Sequence, residues 1–247
     1  MPGISKNKLI VALDVDSAAG ARELVASLRD VVGMFKIGMQ LFTKAGPALV
    51  REIIDGGSQV FLDLKYHDIP NTVAAAGVEA GRLGVSIFNV HAAGGSEMMS
   101  RTLEAVTNAS EREGFTRPKI IGVTVLTSAD AAVLSEIGMS RSPADQVIRM
   151  AQLTAKSGLD GVVASPMEVV EIRQAVAKTD FLILTPGVRS ATSDANDQRR
   201  TMSPGGAVRA GSDFLVVGRP IIEARDPSAA ARAVLVEIEA AAAGQNA

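Results

Sequence analysis

The chain has no cysteine, no tryptophan and one tyrosine, and aromatic residues make up 3% of its 247 positions. Without cysteine, disulfides, thiolate nucleophiles and cysteine-held metals are excluded. So few aromatics leave no platform for stacking bases, and a formal net charge of −2 offers no basic face to a phosphate backbone. Nucleic acid is therefore not an expected partner. No apolar run approaches the roughly 18 residues that cross a bilayer. The opening "MPGISKNK" enters an apolar strand without the hydrophobic region of a secretory signal. The expectation is a cytoplasmic protein that does not engage the membrane. HxxxH pairs, EF-hand loops and a Ser–His nucleophile arrangement are missing too, so no metal site is expected.

What remains is largely aliphatic. Hydrophobic residues are 47% and charged residues 21%, enough for a large core and contrary to disorder. Eight β-rich runs stand out: "LIVALD" (9–14), "MFKIG" (34–38), "QVFLDLK" (59–65), "SIFNVHA" (86–92), "KIIGVTVL" (119–126), "GVVAS" (161–165), "FLILTP" (181–186) and "DFLVVG" (213–218). Between them lie Ala-rich segments with helical spacing, such as Leu24, Leu28 and Val31, or Val73, Val78 and Leu83. Asp16 or Ser17 is placed to cap the first helix, and Gly56, Gly81 and Gly114 fall near helix ends. Strands apolar on both faces and separated by helices indicate a parallel sheet covered on both sides. Eight such units in about 250 residues predict an α/β fold of the (β/α)8 barrel type, one catalytic domain over residues 1–247. The alternative is an open doubly wound sheet, which usually carries a Gly-rich turn after its first strand; "LDVDSA" is not one.

The polar exceptions sit where strands end, the side on which these barrels carry their active sites. Asp14 closes strand 1, Lys36 lies in strand 2, Asp63 and Lys65 in strand 3, and His91 in strand 4. Thr127 follows strand 5, Arg189 strand 7, and Gly218 with Arg219 strand 8. Strand alternation turns Asp63 and Lys65 to one face and Leu64 to the other. Burying such charges costs several kcal/mol per ion before pairing offsets it, so a role in holding one lysine protonated is expected, with Lys36 and Asp68 close by. "GRPII" (218–222) offers a helix start and an arginine to an anion. The polar stretch between Pro186 and Pro204 is long for a connection; its three arginines argue for a lid over an anion, with disorder as the alternative. For His67 and His91 a structural role is as well supported as a chemical one.

Residues 63–72, "DLKYHDIPNT", resemble the signature of the orotidine 5′-phosphate decarboxylase family, Asp-x-Lys-x-x-Asp-Ile-x-x-Thr. "VALD", "FKIG", "NVHA", "VLTS", "TPGVR" and "VVGRPI" follow in the family's order, so the resemblance spans essentially the whole chain. It implies a cofactor-independent decarboxylase that converts orotidine 5′-monophosphate (OMP) to UMP in pyrimidine biosynthesis, with Lys65 as proton donor and Lys36, Asp63 and Asp68 completing a charged network. By the same resemblance Asp14 and Lys36 would contact ribose hydroxyls and Thr127 the pyrimidine. Arg189, Gln198, Gly218 and Arg219 would hold the phosphate, Gln198 from the lid. Asp68 and Thr72 would reach the neighbouring active site of a homodimer. A Mg-dependent sugar-phosphate enzyme of the same superfamily and a non-catalytic nucleotide-binding barrel are the alternatives. The "IPNT" and "VLTS" segments favour the orotidine reading.

Overall fold

The computed structural model describes residues 6–189 and 202–244. Its strands are β1 (Leu9–Ala12), β2 (Met34–Gly38), β3 (Gln59–Tyr66), β4 (Ile87–His91), β5 (Lys119–Val123), β6 (Gly161–Val163), β7 (Leu182–Pro186) and β8 (Phe214–Val217). All neighbours pair in parallel and in chain order, and β8 pairs back to β1. That closing pair makes the fold a (β/α)8 barrel and excludes the open sheet. All eight expected strands are present, but several stop early on the carboxyl side, such as β1 at Ala12 and β5 at Val123. Val125 is still buried there. An apolar residue in a packed loop looks the same in sequence as one in a strand, so periodicity overshoots the last ladder bond.

The helices that return each strand to the bottom of the barrel include α1 (Ala18–Leu28), α2 (Met39–Asp55), α3 (Pro70–Arg82) and α4 (Gly95–Glu113). After β5 come α5 (Ala131–Glu136) and α6 (Pro143–Lys156), then α7 (Val169–Ala175), α8 (Pro204–Ala210), α9 (Arg219–Ile222) and α10 (Pro227–Ala243). Of the two cap candidates Ser17 does the work, its hydroxyl accepting the Gly20 N–H at 3.1 Å. Gly56 and Gly114 are the C-caps of α2 and α4. Gly81 lies within α3 instead, where a Cβ would come 2.6 Å from the Phe115 ring, so packing and not capping explains it. No described helix is long and apolar enough to cross a membrane.

Two apolar layers result from strand alternation. One lies between barrel and helices, built from residues such as Leu9, Val11, Phe35, Leu62 and Phe88. The other fills the barrel with Ile10, Met34, Phe61, Ile87, Ile121 and Leu184. This interior is a plug below the mouth, not a channel. Stacked above it, the next inward positions are the polar ones.

The bottom of the barrel is tied by carboxylates that precede β6 and β8. Asp160 accepts the Ile120 N–H at 2.8 Å and both terminal nitrogens of Arg117 at 2.8 Å. Asp213 does the same for Ile183 N–H, with Arg173 as its partner. Burial pushes the Asp160 carboxyl up, but the hydrogen bonds from Arg117 and Ile120 and the charges of Arg117 and Lys119 outweigh it and hold its pKa below the ordinary value. A depressed carboxylate contributes stability above about pH 4 and loses it as pH falls through the folded value. Asp160→Ala should therefore cost about 2–3 kcal/mol at neutral pH, less than a fully buried pair because Arg117 can turn to solvent. Urea midpoints measure this, and the gap to the parent protein should narrow in acid.

Candidate active site

Positions in or just past the ends of β1 to β3 carry four charged side chains into one place. Lys36 is buried in β2, and its Nζ lies 3.0 Å from Asp14 Oδ1 and 3.4 Å from Asp63 Oδ2. Gly38, two residues on, leaves room for that ammonium: a Cβ there would stand 3.1 Å from Lys36 Nζ. Asp63 turns its other oxygen to Lys65, whose Nζ donates at 2.7 Å. The result is an alternating row, Asp14–Lys36–Asp63–Lys65. Burial raises the pKa of Asp63, yet the charges of Lys36 and Lys65 with hydrogen bonds from Lys65 and Asn89 outweigh it, and the net shift is downward. Asp63 is thus an anion at neutral pH, in contact with both lysine ammoniums.

Lys65 reaches this row through unusual backbone. Simple alternation does not hold at the end of β3: Phe61 and Leu62 pair with Ile87 and Phe88, but Tyr66 pairs with Val90. Three residues, 63–65, therefore face the single residue 89. Lys65 takes φ 52°, the one non-glycine residue with positive φ among those described. Such a conformation costs on the order of 1–3 kcal/mol and persists where surroundings impose it. The expected outcome, Asp63 and Lys65 on one side, is correct, but a bulge and not a regular strand produces it. Leu64 packs against the outer core as expected.

Asn89 is the residue that sequence reasoning missed. It is fully buried, donates to Asp63 Oδ1 at 2.7 Å and accepts the Lys65 backbone N–H at 2.7 Å. The available signal was a polar residue in the middle of the apolar strand "IFNVH", with the same parity as His91. His91 itself stacks on His67, ring centroids 5.4 Å apart. Burial, then the neighbouring His67 and Lys65, push the His91 pKa down. It is neutral at pH 7, and its Nδ1 is buried without a hydrogen-bond partner among the described residues.

The charged row forms one wall of a cavity of about 290 Å³ at the barrel mouth. Its floor and far side are apolar, with Phe61, Val123, Leu184 and Val216, and its rim carries Thr127, Arg189, Gly218 and Arg219. One end can thus place an ammonium beside a flat apolar group, and the other can meet an anion.

Residues 7–234 match the family described as orotidine 5′-phosphate decarboxylase / HUMPS. The chain belongs to this family. It is 52% identical over 236 residues to orotidine 5′-phosphate decarboxylase of Geobacter metallireducens, covering 96% of this chain and 98% of that one. It is 54% identical over 237 residues to the enzyme of the same name from Syntrophotalea carbinolica, covering 96% and 97%. The crystal structure of orotidine 5′-phosphate decarboxylase from Lactobacillus acidophilus superposes with a TM-score of 0.82 at 37% identity, over 94% of this chain and 99% of that chain.

Against the orotidine 5′-phosphate decarboxylase signature, eight of the named positions meet in this one cavity: Asp14, Lys36, Asp63 and Lys65 on the wall, with Thr127, Arg189, Gly218 and Arg219 on the rim. Asp68 and Thr72 do not line it. Asp68 is exposed and its Oδ1 accepts the Ile69 N–H at 2.6 Å, while Thr72 is exposed in the first turn of α3. Gln198 lies outside the described residues, as does most of the Pro186–Pro204 connection; the near ends of that stretch are joined by Arg189 N–H to Met202 O at 3.0 Å. The expected helix start at "GRPII" is present, with Pro220 in its first turn. Gly218 is the N-cap, but α9 is a single turn, Arg219–Ile222, and so short a helix has little dipole to offer an anion. The guanidiniums of Arg219 and Arg189 are the stronger attraction at this rim.

Proposed function

We infer that the chain is a carboxy-lyase that converts OMP to UMP and CO2 without a cofactor. The observation that carries this reading is the Lys65 ammonium, held 2.7 Å from Asp63 at the edge of an apolar cavity that has arginines at its other end. In OMP the bond from C6 to the carboxylate breaks, CO2 leaves, and the electron pair stays on C6. No pyridoxal or thiamin electron sink is signalled, so a fixed positive charge beside C6 is the stabiliser to hand. Lys65 then gives its proton to C6 and is reprotonated from solvent. Asp63 holds the Lys65 ammonium in place and faces the departing carboxylate. Lys36 and Asp14 would bind ribose hydroxyls, Thr127 the pyrimidine, and Arg189, Gln198, Gly218 and Arg219 the phosphate.

The same reading includes a cytoplasmic homodimer in which Asp68 and Thr72 serve the neighbour's cavity. Their exposure, and their absence from the cavity lining of their own chain, support it.

Incubation with OMP tests the function: the ultraviolet absorbance should change as orotate loses its carboxyl. Exhaustive chelation should leave that rate unaltered. A rate lost on chelation and restored by Mg2+ would point to the sugar-phosphate chemistry, and no turnover at all to a binding protein. Among the described residues no three His, Asp or Glu side chains converge as metal ligands.

Arg219 gives a second check. Phosphate binding far from C6 can drive closure and so assist the chemistry. Arg219→Ala should lower kcat/KM for OMP by roughly 10²-fold or more, the cost of truncating one partner of a charge pair. With orotidine, which lacks the phosphate, the change should stay within about threefold. Equal losses on both substrates would remove Arg219 from phosphate binding.

A further inference from the structure

We infer that Asn89 is a positioning residue for Lys65, setting where the ammonium stands by gripping the Asp63–Lys65 unit at both ends; the inference rests on the decarboxylase reading above. Asn89 sits opposite the bulge of β3, where three residues of one strand face one of the next. A regular ladder would satisfy the Lys65 N–H with a backbone carbonyl. Here the Asn89 side chain takes that place, at 2.7 Å. Its other end donates to the Asp63 oxygen that also receives Lys65 Nζ.

Chemistry dictates which way this amide points. A backbone N–H can only donate, so Oδ1 must face Lys65; an ionised carboxylate can only accept, so Nδ2 must face Asp63. Asparagine alone among side chains of this length supplies one acceptor and one donor. Aspartate would keep the acceptor but set a second carboxylate against Asp63. Alanine would leave the left-handed Lys65 without its amide partner and Asp63 with one donor fewer. The two hydrogen bonds thus link the backbone angle of Lys65 to the position of its side-chain partner. The Lys65 ammonium is presented from a short, bent, doubly anchored segment, and the neighbouring strand holds the anchor.

The expected effect is on chemistry rather than on ground-state binding. A displacement of about 1 Å of a reacting group can cost 10²-fold in rate. Asn89→Ala should therefore lower kcat for OMP on the order of 10²-fold while KM and the Kd of UMP stay within about threefold. Asn89→Asp should be impaired at pH 8 and recover in acid. Facing Asp63, the new carboxyl has a raised pKa, and once protonated its O–H restores the donor. Its rate relative to the parent protein should climb about tenfold or more from pH 8 to pH 5. Full kcat in Asn89→Ala, or a loss carried by KM and UMP binding alone, would overturn the inference. Should Asn89→Ala fail to fold by circular dichroism, the Asp variant decides, and a rate ratio flat with pH refutes it. A parent protein that does not turn over OMP sinks the decarboxylase reading instead. In that event the crystal structure of Asn89→Asp at pH 8 is the test. Lys65 should leave φ near 52° or its Nζ should leave Asp63 Oδ1; retention of both overturns the positioning role.

Discussion

Lys65→Ala should lower OMP decarboxylation by roughly 10⁴-fold or more and leave a folded barrel. The ammonium has two tasks on one substrate atom. It offsets the charge that develops at C6, and it then delivers the proton; each alone is worth about 10²-fold or more. Water cannot replace it on an apolar floor made of Phe61, Val123, Leu184 and Val216. Folding should survive because Asp63 is not stranded: Lys36 remains 3.4 Å from Oδ2, and Asn89 still donates to Oδ1. The strained φ persists with alanine, so the backbone gains nothing by the change. Single-turnover assays with OMP measure the loss, and UMP binding with an unchanged thermal transition shows that the cavity is intact. Retention of more than a small percentage of activity would reassign the proton donor.

Activity should return when two dead variants share a dimer. Asp68→Ala and Lys65→Ala are each expected to be nearly inactive alone. In this chain the Asp68 carboxylate is turned onto the Ile69 N–H and stands off the cavity. Beside it Ile69 is 68% exposed, an apolar residue of the kind that a partner surface covers. If Asp68 serves the neighbour, a mixed dimer has one doubly damaged site and one intact site. Free exchange in a two-fold dimer makes about half the dimers mixed, so roughly a quarter of the sites should work. Unfolding and refolding the mixture, then assaying OMP, gives the number. If native mass spectrometry finds mixed dimers and no activity appears, Asp68 acts in its own subunit.

Several features of this protein were written locally in the chain. Eight apolar runs alternating with helical segments name the barrel, because side-chain period depends only on neighbouring residues. Its closure was suggested by their number and became certain with the β1–β8 pairing, a contact between the two ends of the chain. Asp14, Lys36, Asp63 and Lys65 were legible as charges where charge is costly, and the family signature gave them roles. Other features were beyond local reading. The left-handed backbone at Lys65 follows from a bulge against β4, and its amide partner Asn89 comes from 24 residues away. Nothing near either residue records that bond. The direction of Asp68 was equally hidden: "HDIPNT" looks continuous with the charged row, yet once β3 ends at Tyr66 and α3 begins at Pro70, Asp68 is carried out of the cavity. Side chains report what they avoid, water or the core, through composition and period. Which partner satisfies each buried donor is settled only when distant strands are laid side by side, because a hydrogen bond depends on ångström distances that no one-dimensional spacing contains.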